Sequence, residues 1–327
     1  MNRVKRLVSA NEVYKQGYSG KNVRIALLDT GVYAGHPDLR TRVAGFMDFV
    51  NHRHTPYDDN GHGTHIAGIL CGSGMMSGYR ISGMAPRAEL IVMKVLDQKG
   101  NGQTSDVLSA VRWILQNHRQ YNIRLMNFSV GFLPRAGKKE QEELLNAVER
   151  LWDEDVMVVT AAGNNGPGQE TVTVPGISRK VVTVGACDDT ASTYDDSVES
   201  YESRAENATG TGSVRIRDDR VGEKWDLQYG YSGKGPTGCC IIKPEILAPG
   251  TRILSLSNHS DGYARKSGTS MAAPVVCGAL ALAFEKRKSI TPAELKLKLY
   301  ETVEPPAPES NVRAWGTLQV DNLLKVL

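Results

Sequence analysis

Short apolar runs alternate with amphipathic stretches along most of the chain. Residues 23–28, 90–96, 125–130, 156–161 and 181–186 are rich in Val, Ile and Leu. Runs of this length, apolar on both faces, read as buried parallel strands. Between them the period changes. Residues 105–118 set Val107, Val111, Ile114 and Leu115 on one helical face, and residues 140–152 do the same with Leu144, Leu145, Val148, Leu151 and Trp152. Thr291-Pro292-Ala293-Glu294 reads as a capping box with Pro at the first helical position, opening a helix to about Tyr300. Strand–helix alternation predicts an α/β fold: a three-layer, doubly wound, mostly parallel sheet with helices on both faces. Sites in such sheets lie at the carboxyl ends of the strands.

Residues 188–229 break the pattern. They are rich in charge, Ser, Thr and Gly and poor in large aliphatics. They read as a polar surface insertion, with a hairpin around residues 214–221. No repeat or linker divides the chain, so the expectation is a single domain over residues 1–327. Pro305, Pro306 and Pro308 mark a loop before a C-terminal element.

Composition narrows the partners. The chain has 327 residues, 40% hydrophobic and 23% charged, with a net charge of +3. That charge gives no basis for binding nucleic acid or an anionic membrane. The five cysteines (Cys71, Cys187, Cys239, Cys240 and Cys277) are odd in number and lack metal-knuckle spacing. They read as free thiols of a reducing compartment. Cys71 and Cys277 sit in apolar helical contexts and read as small core residues. The first twenty residues lack the apolar run of a secretory signal, and no stretch is long enough to span a membrane. The expectation is a full-length cytoplasmic protein, although a chain trimmed of its leader would read the same.

Four segments could carry chemistry. Asp29 ends the apolar run of residues 23–28 and precedes Thr30-Gly31. It could orient an imidazole there, or equally serve as a turn or helix cap. His62 and His65 lie in Asn60-Gly61-His62-Gly63-Thr64-His65. A zinc helix would set its histidines four apart with a Glu between, and none is present. Ser270, in Gly268-Thr269-Ser270-Met271-Ala272-Ala273-Pro274 ahead of an apolar helix over residues 275–284, falls at a helix N-terminus. It reads either as a cap or as a nucleophile beside N–H groups able to hold an oxyanion. Asn164 follows the run of residues 156–161 and reads as a turn residue or as an oxyanion donor.

The order Asp, His, Asn, Ser, each in a small-residue frame, changes the weighing. Around Asp29, His62, Asn164 and Ser270 the chain closely resembles the signature blocks of the subtilisin-like serine proteases, in particular their intracellular bacterial type. Secondary blocks are also similar: His36-Pro37-Asp38-Leu39, Gly83-Met84-Ala85-Pro86, Asn127-Phe128-Ser129-Val130-Gly131 and Lys243-Pro244-Glu245-Ile246-Leu247-Ala248-Pro249-Gly250. The resemblance runs from about Val13 to Leu324. It implies a serine endopeptidase acting on polypeptides through an acyl-enzyme, with a triad of Asp29, His62 and Ser270 and an oxyanion hole from Asn164 and the Ser270 N–H. It makes His62 the base and His65 a buried structural residue. It assigns substrate binding to Ser129, Val130 and Gly131, to Ala161, Ala162 and Gly163, and to the stretch beginning at Thr173. None of these is charged, which implies an apolar or uncharged P1 side chain. Phe132, where many relatives have Gly, would reshape that pocket.

Two departures stand out. Many relatives bind calcium through an Asn-rich loop after the histidine helix. Here that loop is Gly74-Met75-Met76-Ser77-Gly78-Tyr79-Arg80, with no carboxylate or Asn, and Asp38 alone is an insufficient ligand. No cofactor is expected for the chemistry; a structural calcium stays open, with Asp38 as its one matching ligand here and the acidic stretch of residues 188–206 as another place for it. Only 28 residues precede Asp29, too few for the pro-domain of secreted relatives, so the reading is a chain that either folds unaided, like intracellular relatives, or has had its pro-domain removed. A proteolytically dead member kept for binding would have lost a triad residue, and all three are present. An esterase or amidase of another fold would show a nucleophile elbow, but Ala272 stands where its second Gly belongs. The physiological substrate and the oligomeric state are not encoded legibly.

Overall fold

The computed structural model describes residues 1–129, 131, 138–166, 168–188, 215–218, 230–235, 241–259, 262–306 and 312–327. Its strands are β1 (Arg24–Asp29), β2 (Val43–Asp48), β3 (Glu89–Lys94), β4 (Ile123–Phe128), β5 (Met157–Ala161), β6 (Val182–Ala186), β7 (Arg215–Asp218), β8 (Ile246–Ala248), β9 (Ile253–Leu256), β10 (Gly262–Lys266) and β11 (Gly316–Thr317). Eight of them form one sheet, in the order β11-β8-β6-β5-β4-β1-β3-β2. Every pairing in it is parallel. A smaller sheet has the order β7-β10-β9.

The helices are α1 (Asn2–Leu7), α2 (Asn11–Lys15), α3 (His62–Cys71), α4 (Thr104–Tyr121), α5 (Lys138–Asp153), α6 (Thr269–Lys286), α7 (Pro292–Thr302) and α8 (Val320–Lys325). They cover both faces of the large sheet. Along β1, Ile25 and Leu27 enter one core with α3, α6 and α8, while Ala26 and Leu28 enter the other with α4 and α5. Alternate side chains therefore leave opposite faces of one strand, and both faces are dry, which is why β1 reads as an unbroken apolar run. Helix α6 is buried almost all round, from Thr269 to Phe284.

β1 lies between β3 and β4. The chain runs from β3 through α4 to β4, passing from one flank of β1 to the other. The winding therefore changes sense at β1, and its carboxyl end opens into a crevice.

The structure corrects several boundaries. Strand β4 ends at Phe128, and Val130 lies outside the described residues. The apolar helix begins at Thr269, six residues before Val275, with Pro274 inside it. Pro274 has no N–H for the Ser270 carbonyl four residues earlier. That carbonyl is instead reached by the Ser129 hydroxyl, at 3.5 Å. Only half of the capping box at α7 forms: Thr291 caps the Glu294 N–H at 3.2 Å, but the Glu294 side chain pairs with Arg287 at 2.8 Å.

In the predicted insertion, β7 is a strand, but its partner is β10, in parallel. The hairpin expected around 214–221 otherwise lies outside the described residues, as do Phe132, Cys239 and Cys240. Asp188, at the start of that stretch, is buried, and accepts from the N–H groups of Gly250 at 2.7 Å and Thr251 at 3.0 Å. Cys71 and Cys277 are in the core as thiols. Among the described residues no helix is long and apolar enough to cross a membrane.

Candidate active site

Asp29 is the last residue of β1 and is fully buried at the carboxyl edge of the sheet. Its Oδ1 accepts from the Thr30 N–H at 2.8 Å and lies 2.7 Å from Nδ1 of His62. A carboxylate oxygen only accepts, so Nδ1 carries the proton and Nε2 is left as the basic atom of a neutral ring. Asp29 Oδ2 is buried with no partner among the described residues. Burial alone would push the His62 imidazole down. The adjoining Asp29 carboxylate, by charge and by hydrogen bond, more than offsets this, and the net direction is up from the ordinary value.

His62 opens α3, after a left-handed Gly61 with φ of 98°. Side chains are excluded here by close backbone packing. A Cβ on Gly63 would collide with the carbonyl oxygen of Gly31, and one on Gly31 with that of Tyr57. The start of the helix is thereby pressed against the turn that follows Asp29. His65, one turn on, is fully buried. Its Nε2 lies 3.0 Å from the carbonyls of both Ile253 and Ala264, so Nε2 carries a proton and donates to them, while Nδ1 is buried with no partner among the described residues. Burial drives its basicity well below the ordinary imidazole value.

Ser270 is the second residue of α6. Its hydroxyl donates to the carbonyl of Ser129, just beyond β4, at 3.1 Å. The described hydrogen bonds do not join it to His62. Beside it, Thr269 and Asn164 are locked together. Asn164 Oδ1 accepts from both the N–H and the hydroxyl of Thr269 at 2.9 Å, and Thr269 Oγ1 accepts from the Gly163 N–H at 3.1 Å. With Oδ1 engaged, the Asn164 amide directs its NH₂ away from Thr269, and Nδ2 is unpaired among the described residues. The Thr269 and Met271 N–H groups are bonded to Asn164 Oδ1 and to the Gly268 carbonyl, which leaves the Ser270 N–H and the positive dipole of the α6 N-terminus at the same place.

The predicted substrate residues group around this point. Ser129 and Gly131 follow β4, Ala161 ends β5, and Ala162 and Gly163 follow it. Thr173 is buried and joins them, donating its N–H to the Ala162 carbonyl at 3.0 Å. Its side chain lies against both neighbouring segments. A Cβ on Gly131 would overlap Thr173 Oγ1, and one on Gly163 would sit 2.7 Å from Thr173 Cγ2.

Asp38 does not fit a metal. It is buried, its Oδ2 accepts from the Tyr263 hydroxyl at 2.9 Å, and its Oδ1 accepts from the Met76 N–H at 2.9 Å and the Ser73 hydroxyl at 3.3 Å. Protein donors occupy both oxygens. Among the described residues no cluster of three His, Cys, Asp or Glu side chains is arranged to hold an ion.

Sequence reasoning missed the polar frame around Asp29 and His62. Lys94 is fully buried, at the end of β3, and donates to the carbonyls of Thr30 at 2.6 Å and Leu96 at 2.8 Å and to Asp59 at 2.7 Å. Its signal was a single cation inside an apolar run. Asp58, whose carboxylate gathers donors from both sides of His62, gave no signal beyond an acid in a polar stretch.

Known proteins resemble this chain along nearly its whole length. A profile of the subtilase family matches residues 20–321. Serine protease AprX of Bacillus subtilis (strain 168) is 38% identical, covering 96% of this chain and 69% of the relative. Subtilisin DY of Bacillus licheniformis is 31% identical, covering 90% and 89%. Among solved structures, a cold adapted subtilisin-like serine proteinase superposes with a TM-score of 0.67 at 26% identity over 93% of this chain and 90% of that one. Sphericase does so with a TM-score of 0.69 at 28% identity over 92% and 88%.

Proposed function

The chain belongs to the subtilase family and is a serine protease, and from that premise we propose that its endopeptidase chemistry runs through Asp29, His62, Ser270 and Asn164. The observation that carries the proposal is the 2.7 Å contact between Asp29 and His62 Nδ1 at the carboxyl end of the central strand. It leaves His62 Nε2 as the acceptor for a hydroxyl proton.

In this mechanism Ser270 Oγ leaves the Ser129 carbonyl by rotation about its side chain and attacks the scissile carbonyl carbon. His62 Nε2 takes the hydroxyl proton as the C–O bond forms. Asp29 stabilises the imidazolium without accepting its proton. Negative charge gathers on the former carbonyl oxygen, where the Asn164 amide and the Ser270 N–H donate to it. His62 then protonates the departing amine, the C–N bond breaks, and an acyl-enzyme remains. Water, deprotonated by the same imidazole, reverses the steps.

The substrate is an extended polypeptide lying against residues 129–131, with its P1 side chain entering between Gly131 and Gly163. Thr173 stands at the inner end of that slot, so small uncharged P1 side chains suit it. No metal takes part in these steps.

The test is labelling with a fluorophosphonate followed by peptide mapping. Wild type labels at Ser270 and cleaves an unfolded protein internally, and Ser270→Ala does neither. A folded wild type that resists the reagent and leaves casein intact overturns the reading.

A further inference from the structure

Beyond the triad, we propose that Asp58 is a positioning residue, a carboxylate clasp that fixes the Asp29 turn and the His62 helix start relative to each other. The proposal rests on the catalytic reading of Asp29 and His62 given above.

Asp58 receives donors from both partners of the pair. From the strand side, the Thr30 hydroxyl, next to Asp29, donates to Oδ1 at 2.9 Å. From the helix side, the Gly61 N–H donates to Oδ1 at 2.8 Å, and the Thr64 N–H and hydroxyl donate to Oδ2 at 2.9 and 2.6 Å. Asn60 N–H completes the set at 3.1 Å. The same Thr30 hydroxyl accepts from the Gly63 N–H at 2.9 Å. His62 is thus bracketed: residues 60, 61, 63 and 64 are all tied, directly or through Thr30, to one carboxylate.

The physical need is clear from the cap. Gly61 has no side chain to cap α3, so its first N–H groups are met from outside: the Asn60 Oδ1 accepts from His62 at 3.1 Å and the Thr30 hydroxyl from Gly63, which leaves the Thr64 N–H to Asp58. Asp58, three residues upstream of Gly61, also places a negative charge at the positive end of the helix. Backbone alone would leave the joint loose, because glycines at 31, 61 and 63 bring no side-chain contacts to it. The loop carrying Asp58 is itself pinned. Asp58 pairs in a bridge with Gly31, and its carbonyl accepts from the Asn258 amide at 3.1 Å. Burial alone would raise the Asp58 carboxyl, but donors led by Thr64 and Gly61 outweigh it and hold the group below the ordinary carboxylate value.

The charged and titratable groups acting on His62 are Asp29, Lys266, Asp58 and His65. Replacing Asp58 by Asn keeps its shape, but sets an NH₂ against a ring of donors and removes one of the two negative charges that raise the His62 imidazole.

The test compares wild type, Asp58→Asn, Thr30→Val and Thr30→Ser in steady-state kinetics across pH, with rates normalised to fluorophosphonate-titrated sites. The expected result for Asp58→Asn is a kcat lower by tenfold or more, a KM within twofold of wild type, and an acid limb of kcat/KM moved to lower pH. Thr30→Val should lose kcat in the same way, and Thr30→Ser should recover it. If Asp58→Asn does not fold, the Thr30 pair decides alone. Titrated sites of Asp58→Asn, or of Thr30→Val, that turn over at the wild-type kcat with an unmoved acid limb overturn the clasp. Failure of wild type itself to label at Ser270 overturns the catalytic reading instead.

Discussion

Asn164 Oδ1 accepts both the backbone N–H and the hydroxyl of Thr269, each at 2.9 Å. The amide of a residue after β5 is therefore oriented by the residue immediately before Ser270, and a change at Thr269 is felt at the proposed oxyanion site. Asn164→Ala should lower kcat by about a hundredfold to a thousandfold with KM nearly unchanged, the range known for the corresponding donor in subtilisin. Thr269→Val should lower kcat by a smaller factor, about tenfold. Initial-rate kinetics on a peptide anilide separate kcat from KM, and an Asn164→Ala loss confined to KM would count against the assignment.

The Asp29–His62 contact has a pH signature. Asp29 raises the His62 imidazole despite burial, and the proposed chemistry needs the neutral ring. The acid limb of kcat/KM should therefore lie above the ordinary imidazole value of 6.5. Asp29→Asn should lower kcat by about ten-thousandfold, as loss of that carboxylate does in triads of this kind. A wild-type limb at or below 6.5 contradicts the electrostatics.

His65 is the opposite case. Its folded form is held neutral by burial, so the unfolded chain binds the extra proton. Its contribution to stability is full above the unfolded value of about 6.5 and falls as pH drops below it, by at most about 1.4 kcal/mol per pH unit. Urea unfolding of the Ser270→Ala protein at several pH values measures this slope. His65→Gln, whose amide nitrogen can replace Nε2, should flatten it, and an unchanged slope would show that other groups dominate.

Thr173 packs against Gly131 and Gly163, which the proposed reading sets on either side of the P1 side chain. Thr173→Gly should enlarge the P1 slot and shift cleavage toward large apolar P1 residues, raising kcat/KM for P1 Phe or Leu over P1 Ala by about tenfold or more, since one or two methylene-sized spaces are worth about 1–3 kcal/mol. Profiling with a peptide library reads this directly, and an identical P1 profile would remove Thr173 from the pocket.

The Tyr263 hydroxyl and the Asp38 carboxylate are joined at 2.9 Å in the core. Tyr263→Phe should cost about 1–3 kcal/mol, the cost of a buried acceptor left without its donor. Calcium or a chelator should leave that difference unchanged. A calcium-dependent rise in the wild-type melting temperature that vanishes in Asp38→Asn would restore a metal to this place.

How far these features could be read in advance depended on whether the cause was local. β1 was legible because a strand dry on both faces must be apolar throughout, and the acid ending it at Asp29 was conspicuous. The faces of α4 and α5 were legible from their period. The start of α6 was not. Pro274 reads as a helix boundary, but the carbonyl it leaves without a backbone partner is reached by Ser129 from another element. Helices α1 and α2 were missed because they are too short to hold by propensity. They form by docking Met1, Val4, Val8 and Val13 into the core, a spacing visible only once the core is known. Asp58 was illegible for a similar reason. Its donors converge from Thr30 and from residues 60–64, and no pattern of residue types along the polymer announces a convergence.

Helix α6 carries Ser270 at one end and is enclosed by protein along nearly its whole length. Such a segment opens only when the molecule as a whole opens. Its amides should be the last to exchange with deuterated solvent, and the reactive serine cannot wander while the rest stays native. Heat inactivation should therefore coincide with melting, and each titratable serine in a preparation should count one intact molecule.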